Sequence, residues 1–432
     1  MKTVIRGAHV IDPANDVDSV MEIRVEDGII KAVAPSVDRA GAEVIDAGGL
    51  HLFPGLVDIH VHLREPGQEY KETIATGTRA AAAGGFTSVA CMPNTLPVND
   101  NASITGYILE KAREEGVCRV YPVGAISKGQ KGEELAEMGE LRQAGCVAVS
   151  DDGRPVDSSL LMRKALEYAK GFGLTVISHC EDLELARGGA MNEGAVSSLL
   201  GMPAIPSEAE EIMAARDIML ARRAGARLHL AHLSTAGSME LLRWGKAIGV
   251  KVTGETAPHY FTLTEELVKT FDSVYKMNPP LRAGEDLEAV TRALAEGVID
   301  AIATDHAPHG RDEKEVEFEA AHNGVIGLET SFALALSLWR EGKAGLSTII
   351  RALTIGPSRA LGLPSGTLSP GARADIVLAD LGAKWLVEPE KFKSKARNCP
   401  FAGMTLTGKT VRTIVGGKTV YLDGEITADN II

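Results

Sequence analysis

The sequence predicts a (β/α)8 TIM barrel carrying a small β-sandwich-like domain built from both chain ends. Three observations predict it. Between Pro54 and about residue 365, eight short β-rich runs alternate with helical segments, which is the count of a (β/α)8 barrel. Residues 1–53 and 366–432 hold strand and turn patterns without a helix. The length of 432 residues exceeds the roughly 250 that a plain barrel needs, so a second domain fits.

Taken in order, TVIRGAHVI, EIRVEDGIIKAVA and AEVIDAGGLHLF are strands of the N-terminal end. The barrel runs then follow: LVDIHVH, TSVACMPN, RVYPVGAI, VAVSDD, TVISHC, RLHLAH, KVTGETAPH and AIATDHAPH. The helices between them carry stop and start signals. A helix from near Asn101 ends at Gly116, Asp157 is expected to cap the one that ends at Gly171, and Ser207 with Glu210 reads as a capping box for a helix stopped by Gly225. The connection from Glu181 to Pro206 is long for a βα loop, which suggests function on the barrel top. GTLSPGARADIVLADL and TVRTIVGGKTVYLDGE close the chain as strands. The expected division is therefore 1–53 with 366–432 as one composite β domain, and 54–365 as the barrel.

Composition narrows the function. The net charge is −13 and aromatic residues make up 4%, which argues against a nucleic-acid partner that needs basic grooves and stacking platforms. No run approaches about 18 apolar residues, so no membrane span is expected. The opening MKTVIRGAHVIDP lacks the apolar stretch of a secretory leader and reads as a strand. Five scattered cysteines without a C-x-x-C pattern fit a reducing, cytoplasmic setting.

The chemistry concentrates at strand ends. His60 and His62 form H-x-H, and a period of two puts both rings on one face of the first strand. Asp151 and Asp152 end strand 4, His179 strand 5, His232 strand 6 and Asp305 strand 8. Barrel active sites sit at this end. So many imidazoles and carboxylates at one mouth match an N/O metal centre suited to Zn²⁺ or a similar divalent ion, and six groups suggest two ions sharing a bridge. Asp152 is the expected bridge, with Asp151 turned away to cap a turn. His229, an odd number of residues before His232, is expected to face the other way as a structural residue. His9 and His51 are expected to be structural too. His259 could line the site, and His306 could support it or merely pack. Cys180 should alternate outward.

The ordered set GLVDIHVHLREPG, MPNT, SDDG, SHCED, GETAPHY, KMNPPLR and ATDHAPH resembles the amidohydrolase superfamily, and within it the type I (bacterial) dihydroorotases. SPGARADIVLADL extends the resemblance into the β domain. It implies a metal-dependent amidohydrolase that reversibly converts N-carbamoyl-L-aspartate to dihydroorotate, the third step of pyrimidine synthesis. It implies that His60, His62, Asp152 and Asp305 hold one metal and that Asp152, His179 and His232 hold the other, with two Zn²⁺ expected and other divalent ions admissible. Many superfamily members bridge with a carboxylated lysine; here Asp152 stands instead, as in type I dihydroorotases. Asp305 is then the proton carrier. His62, Leu63, Arg64 and Asn94 match the family's grip on the substrate, Arg64 and Asn94 holding its carboxylate. Asn278, His309, Asn323 and Gly324 match further substrate contacts. Relatives commonly read A-P-x-G where this chain reads Ala321, His322, Asn323, Gly324, so that loop departs from the pattern. The segment from Gly310 to Gly324 is a charged excursion, either a solvated loop or short helix, or a cover over bound substrate.

Two rivals stand beside this reading. A hydantoinase or allantoinase is disfavoured by the missing bridging lysine and by Arg64, which wants an anionic substrate. A non-catalytic partner of aspartate carbamoyltransferase should have lost metal ligands, and none of the six is missing. A homodimer is expected, and association with that transferase is compatible with activity.

Overall fold

A computed structural model describes residues 2–431. Eight parallel strands form one sheet in chain order: β1 (Leu56–Val61), β2 (Phe86–Cys91), β3 (Arg119–Gly124), β4 (Ala148–Ser150), β5 (Thr175–Ser178), β6 (Leu228–Leu230), β7 (Val252–Thr256) and β8 (Ala301–Ile302). The sheet closes on itself where His62 N donates to His306 O (2.8 Å) and Val61 bridges His306 in parallel. A buried aspartate reinforces that seam. Asp58 accepts from Thr304 N and Thr304 Oγ1 (2.6 Å), tying β1 to the chain just past β8. Each strand reads as an apolar run because a parallel sheet is buried on both faces, and Val57, Ala90, Val123, Ala148, Ile177 and Ala301 of six strands share one apolar cluster.

The two chain ends pair with each other. His51–Pro54 runs antiparallel to Ile376–Leu386 with Pro54 opposite Ile376, at the centre of a seven-stranded sheet that holds His9–Asp12 and Val17–Val20 on one side and Thr405–Val415, Lys418–Leu422 and Glu425–Ile426 on the other. Four N-terminal strands (Lys2–Arg6, Glu22–Glu26, Ile29–Ala34 and Glu43–Asp46) make a second sheet. Ile5, Ile23, Leu52, Ile376 and Ile414 are packed between these sheets. Arg119, at the start of β3, donates through Nε (2.8 Å) and Nη2 (3.0 Å) to Asp375 and so joins this unit to the barrel.

Helix ends follow the sequence in most places. Asn101 Oδ1 accepts from Ser103 N and Ile104 N, and Gly116 ends that helix. Gly225 ends Glu208–Ala224 in the left-handed region at φ 63°, where glycine carries no Cβ penalty. Two expectations are corrected. Ser158, not Asp157, caps Ser159–Gly171 by accepting from Leu161 N. Ser207 makes no capping bond, its own backbone being helical (φ −60°, ψ −32°), and Glu210 is buried and turned inward, where Oε1 accepts from Ser234 N (3.0 Å).

Candidate metal centre and anion pocket

Six predicted residues meet at the C-terminal mouth of the barrel. Strand direction delivers them there. His60 is the penultimate residue of β1, and His62, Asp152, His179, His232 and Asp305 follow their strands within three residues. All six are buried, at 9% exposure or less. His62 Nε2 lies 3.0 Å from Asp305 Oδ1. Asp152 sits between the others: Oδ1 is 3.2 Å from His60 Nε2, 3.5 Å from His179 Nδ1 and 3.6 Å from His232 Nε2, while Oδ2 is 3.5 Å from His62 Nε2. One oxygen thus faces His60, His179 and His232 and the other faces His62. Ligand atoms of His60, His62 and Asp305 lie within 4.8 Å of one another, and so do those of His60, Asp152 and His232. His179 stands beside the second set, with Nδ1 2.8 Å from His232 Nε2.

The outer ring nitrogens are held. His60 Nδ1 donates to Glu255 Oε1 (2.6 Å), His62 Nδ1 to Asn94 Oδ1 (2.8 Å), and His179 Nε2 lies 3.2 Å from Glu181 Oε2. Carboxylate and carbonyl partners of this kind orient the rings of metal-binding histidines. Inside the ring of residues, His60 Nε2 and Asp152 Oδ1 are buried and lack any hydrogen-bond partner. Such atoms are costly to bury unless something satisfies them. The charges agree. Burial would raise Asp152, yet His60 and the neighbouring His179 and His232 hold it well below the usual carboxylate range. Burial likewise opposes the shift of Asp305, but His62 and His60 bring it down to about 2. His179 rises to about 10 against its burial, through Asp152 and Glu181. The cluster therefore demands positive charge at its centre, and its N/O donor set fits divalent ions.

Backbone conformation aims these groups. His232 (φ 33°), Asp305 (φ 47°) and Arg64 (φ 62°) all occupy the left-handed region, although none is glycine. Residues held there usually carry a functional constraint. This also corrects the parity argument for His229. Because β6 ends at Leu230 and His232 turns through a positive φ, counting by two fails. His229 Nε2 reaches Glu255 Oε2 (3.1 Å), the same carboxylate that holds His60, and Nδ1 lies 2.7 Å from Thr253 Oγ1. It is structural, as expected, but it faces the same interior.

A cavity of about 350 Å³ opens above the cluster, lined in part by Arg64, Asn94, Asn278, His309, Asn323 and Gly324. Arg64 is buried; Nε donates to Pro308 O (3.2 Å), and no carboxylate lies within ion-pairing distance among the described residues. Its neighbour Glu65 is engaged elsewhere, accepting from Ile74 N. Asn278 Nδ2 donates to Glu181 Oε1 (2.9 Å), and His309 Nε2 lies 2.8 Å from Asn323 O. Leu63 differs from the other expected contacts: its side chain packs against Gly77, away from the cavity.

Asp151 accepts from Ile126 N and Ser127 N, a turn cap turned away from the cluster. His306 packs against Glu72, and His259 is buried without lining the cavity. Cys180 is buried with Sγ turned back onto Ser178. Glu255, Glu181, Gln130, Arg154 and Lys71 belong to the site or its walls and were not singled out. A buried glutamate inside an otherwise β-rich run, GET, is the one signal that could have found Glu255.

A family model described as Dihydro-orotase-like matches residues 49–238. A protein named dihydroorotase from Geobacter metallireducens is 55% identical over 422 residues, covering 98% of this chain and 100% of that one. Another of that name from Syntrophus aciditrophicus is 52% identical over 423 residues, covering 98% and 99%. Among solved structures, a dihydropyrimidinase from Brevibacillus agri superposes with a TM-score of 0.87 at 25% identity, covering 99% of this chain and 96% of that one. An L-hydantoinase from Arthrobacter aurescens superposes with a TM-score of 0.89 at 24% identity over 99% and 97%, which shows the shared fold.

Proposed function

This chain belongs to the dihydroorotase family, and from that premise we propose that it interconverts dihydroorotate and N-carbamoyl-L-aspartate at the mouth of its barrel. The observation that carries the reading is the pairing of two features. A buried His60–His62–Asp152–His179–His232–Asp305 cluster with unsatisfied inner atoms lies beside a buried Arg64 that has no carboxylate partner among the described residues. The first is built for cations and the second for an anion.

In this reading His60, His62, Asp152 and Asp305 hold one divalent ion and Asp152, His179 and His232 the other, zinc being the expected metal. When bound, such ions supply water acidified to about neutral pH and polarise the ring carbonyl. The chain's own residues do the rest. Arg64 and Asn94 bind the substrate carboxylate, a planar fork and an amide that fix the ring's orientation. Asn94 Oδ1 is already taken by His62, so its amide nitrogen is the group left for substrate. Asp305 receives the proton of the attacking water and delivers it to the ring nitrogen as the amide C–N bond breaks. Microscopic reversibility makes the same carboxylate take that proton back when the ring closes. His309, Asn278 and the backbone at Asn323–Gly324 complete the wall around the ring.

The decisive experiment assays purified protein with dihydroorotate and with N-carbamoyl-L-aspartate, alongside metal analysis. Turnover in both directions with two ions per chain is expected. Preference for hydantoin or dihydrouracil would move the cyclic-amidase alternative ahead. We extend the proposal to a type I enzyme, working in the cytoplasm as a homodimer able to associate with aspartate carbamoyltransferase. The five cysteines are all buried and free, which suits a reducing compartment, and among the described residues no helix is long and apolar enough to cross a membrane. Sedimentation of the protein alone and with the transferase tests the assembly.

A further inference from the structure

The segment that follows His309 forms a four-residue helix, Arg311–Lys314, and then runs through turns to Gly324. Most of its residues face water, yet Lys314 is buried, with 6% exposure. Its ammonium donates to three main-chain carbonyls: His322 O (2.9 Å), Lys276 O (3.1 Å) and Gly324 O (3.2 Å). A lysine has three N–H donors and no acceptor, so these bonds use all of them. No carboxylate pairs with it among the described residues. Beside it, Glu313 faces the other way. Its Oε1 accepts from Lys71 Nζ (2.8 Å) and Tyr70 OH (2.8 Å), and its Oε2 accepts from Gly310 N (3.0 Å) and lies 3.2 Å from His309 Nδ1.

We propose that Glu313 and Lys314 are positioning residues, a two-residue clasp that fixes three barrel loops in the arrangement that binds the anionic ring substrate. The proposal rests on the dihydroorotase reading for the identity of that substrate. Lys314 joins Lys276, two residues before Asn278, to the backbone flanking Asn323. Glu313 joins the loop after β1, which carries Arg64, to His309. The loops after β1, β7 and β8 thus meet at two adjacent side chains, although they are distant in sequence. A buried ammonium spent on loop carbonyls is an expensive device for mere cohesion, since the charge must be desolvated before the bonds offset that cost. A lysine suits the place where a guanidinium would not, because three separate carbonyls surround a point charge rather than a plane. Gly324 O also receives Asn398 Nδ2 (3.1 Å), so the loop keeps an anchor when Lys314 is removed.

Lys314→Met in the metal-loaded enzyme tests the clasp. The expected result is a KM for dihydroorotate raised by about ten- to a hundredfold, with kcat within a few-fold and metal content unchanged. Amide hydrogen exchange should rise together at residues 276–278 and 322–324. An unchanged KM with unchanged exchange would overturn the proposal. Glu313→Gln is the second variant should Lys314→Met fail to fold; it should raise KM and loosen residues 69–71 and 309–310. Wild-type enzyme that ignores dihydroorotate would sink the functional reading instead, and exchange in the three segments would then decide the clasp by itself.

Discussion

His60 Nδ1 and Glu255 Oε1 lie 2.6 Å apart, linking β1 to β7 beneath the carboxylate–imidazole cluster. The same glutamate accepts from His229 (3.1 Å) and His232 N (3.3 Å), so one buried carboxylate sets the aim of two proposed metal ligands. Burial would raise Glu255, but His60 and His229 hold it far below the usual range, so it remains an anion. Glu255→Gln should therefore weaken metal retention by about 10- to 100-fold. Competition against a chelator measures it, and unchanged affinity would remove Glu255 from the support of the centre.

Asp152 faces both sets of imidazoles, so the loss of this one side chain should empty both positions. Asp152→Ala is expected to fold, to hold fewer than one ion per chain and to lose turnover. Elemental analysis after gel filtration is the check. Wild-type protein that is fully active with a single ion would contradict the two-ion arrangement.

Asp305 carries two proposed roles, and the amide variant separates them from folding. Asp305→Asn should melt like the wild type yet lose roughly 10²- to 10⁴-fold in kcat, because an amide cannot accept the proton of the attacking water. Metal content should fall only in part. Retention of more than about a tenth of kcat would rule out the proton-carrier role.

Arg64 decides substrate choice. Loss of one partner of a buried charge pair costs about 2–5 kcal/mol, or roughly 30- to 5,000-fold in kcat/KM at about 1.36 kcal/mol per factor of ten. Arg64→Met should show that loss with dihydroorotate while both ions stay bound. The wild type should prefer dihydroorotate over dihydrouracil, which lacks the carboxylate, by a similar factor. Equal kcat/KM for the two compounds would mean that Arg64 does not hold the substrate.

The pair Arg119–Asp375 concerns stability alone. Its carboxylate has 6% exposure and also accepts from Gly416 N (2.7 Å), so removal of the guanidinium leaves a charge stranded between barrel and end sheets. Arg119→Met should cost up to about 3 kcal/mol in urea unfolding, the low end for a buried pair because Arg119 keeps 20% exposure. Its kcat/KM should match the wild type.

Much of this molecule is legible along the chain. The eight barrel runs were readable because a strand buried on both faces must be apolar, and a parallel strand must be followed by a crossover before the next. The six proposed ligands stood out because a charged or imidazole side chain ending such a run has little reason to be there unless something at the mouth needs it. Pattern stopped where geometry is not periodic. His229 was misdirected because φ 33° at His232 breaks the alternation on which counting by two depends. Glu210 matched a capping box by spacing, but Ser234 and Arg282, more than twenty and seventy residues away, drew it inward. Lys314 carries no local signature, and Glu181 and Glu255 carry only that of a carboxylate beside or inside a β-rich run. Each acts through partners from other strands and loops, and which distant groups share a buried space with a charge is settled only when the barrel closes.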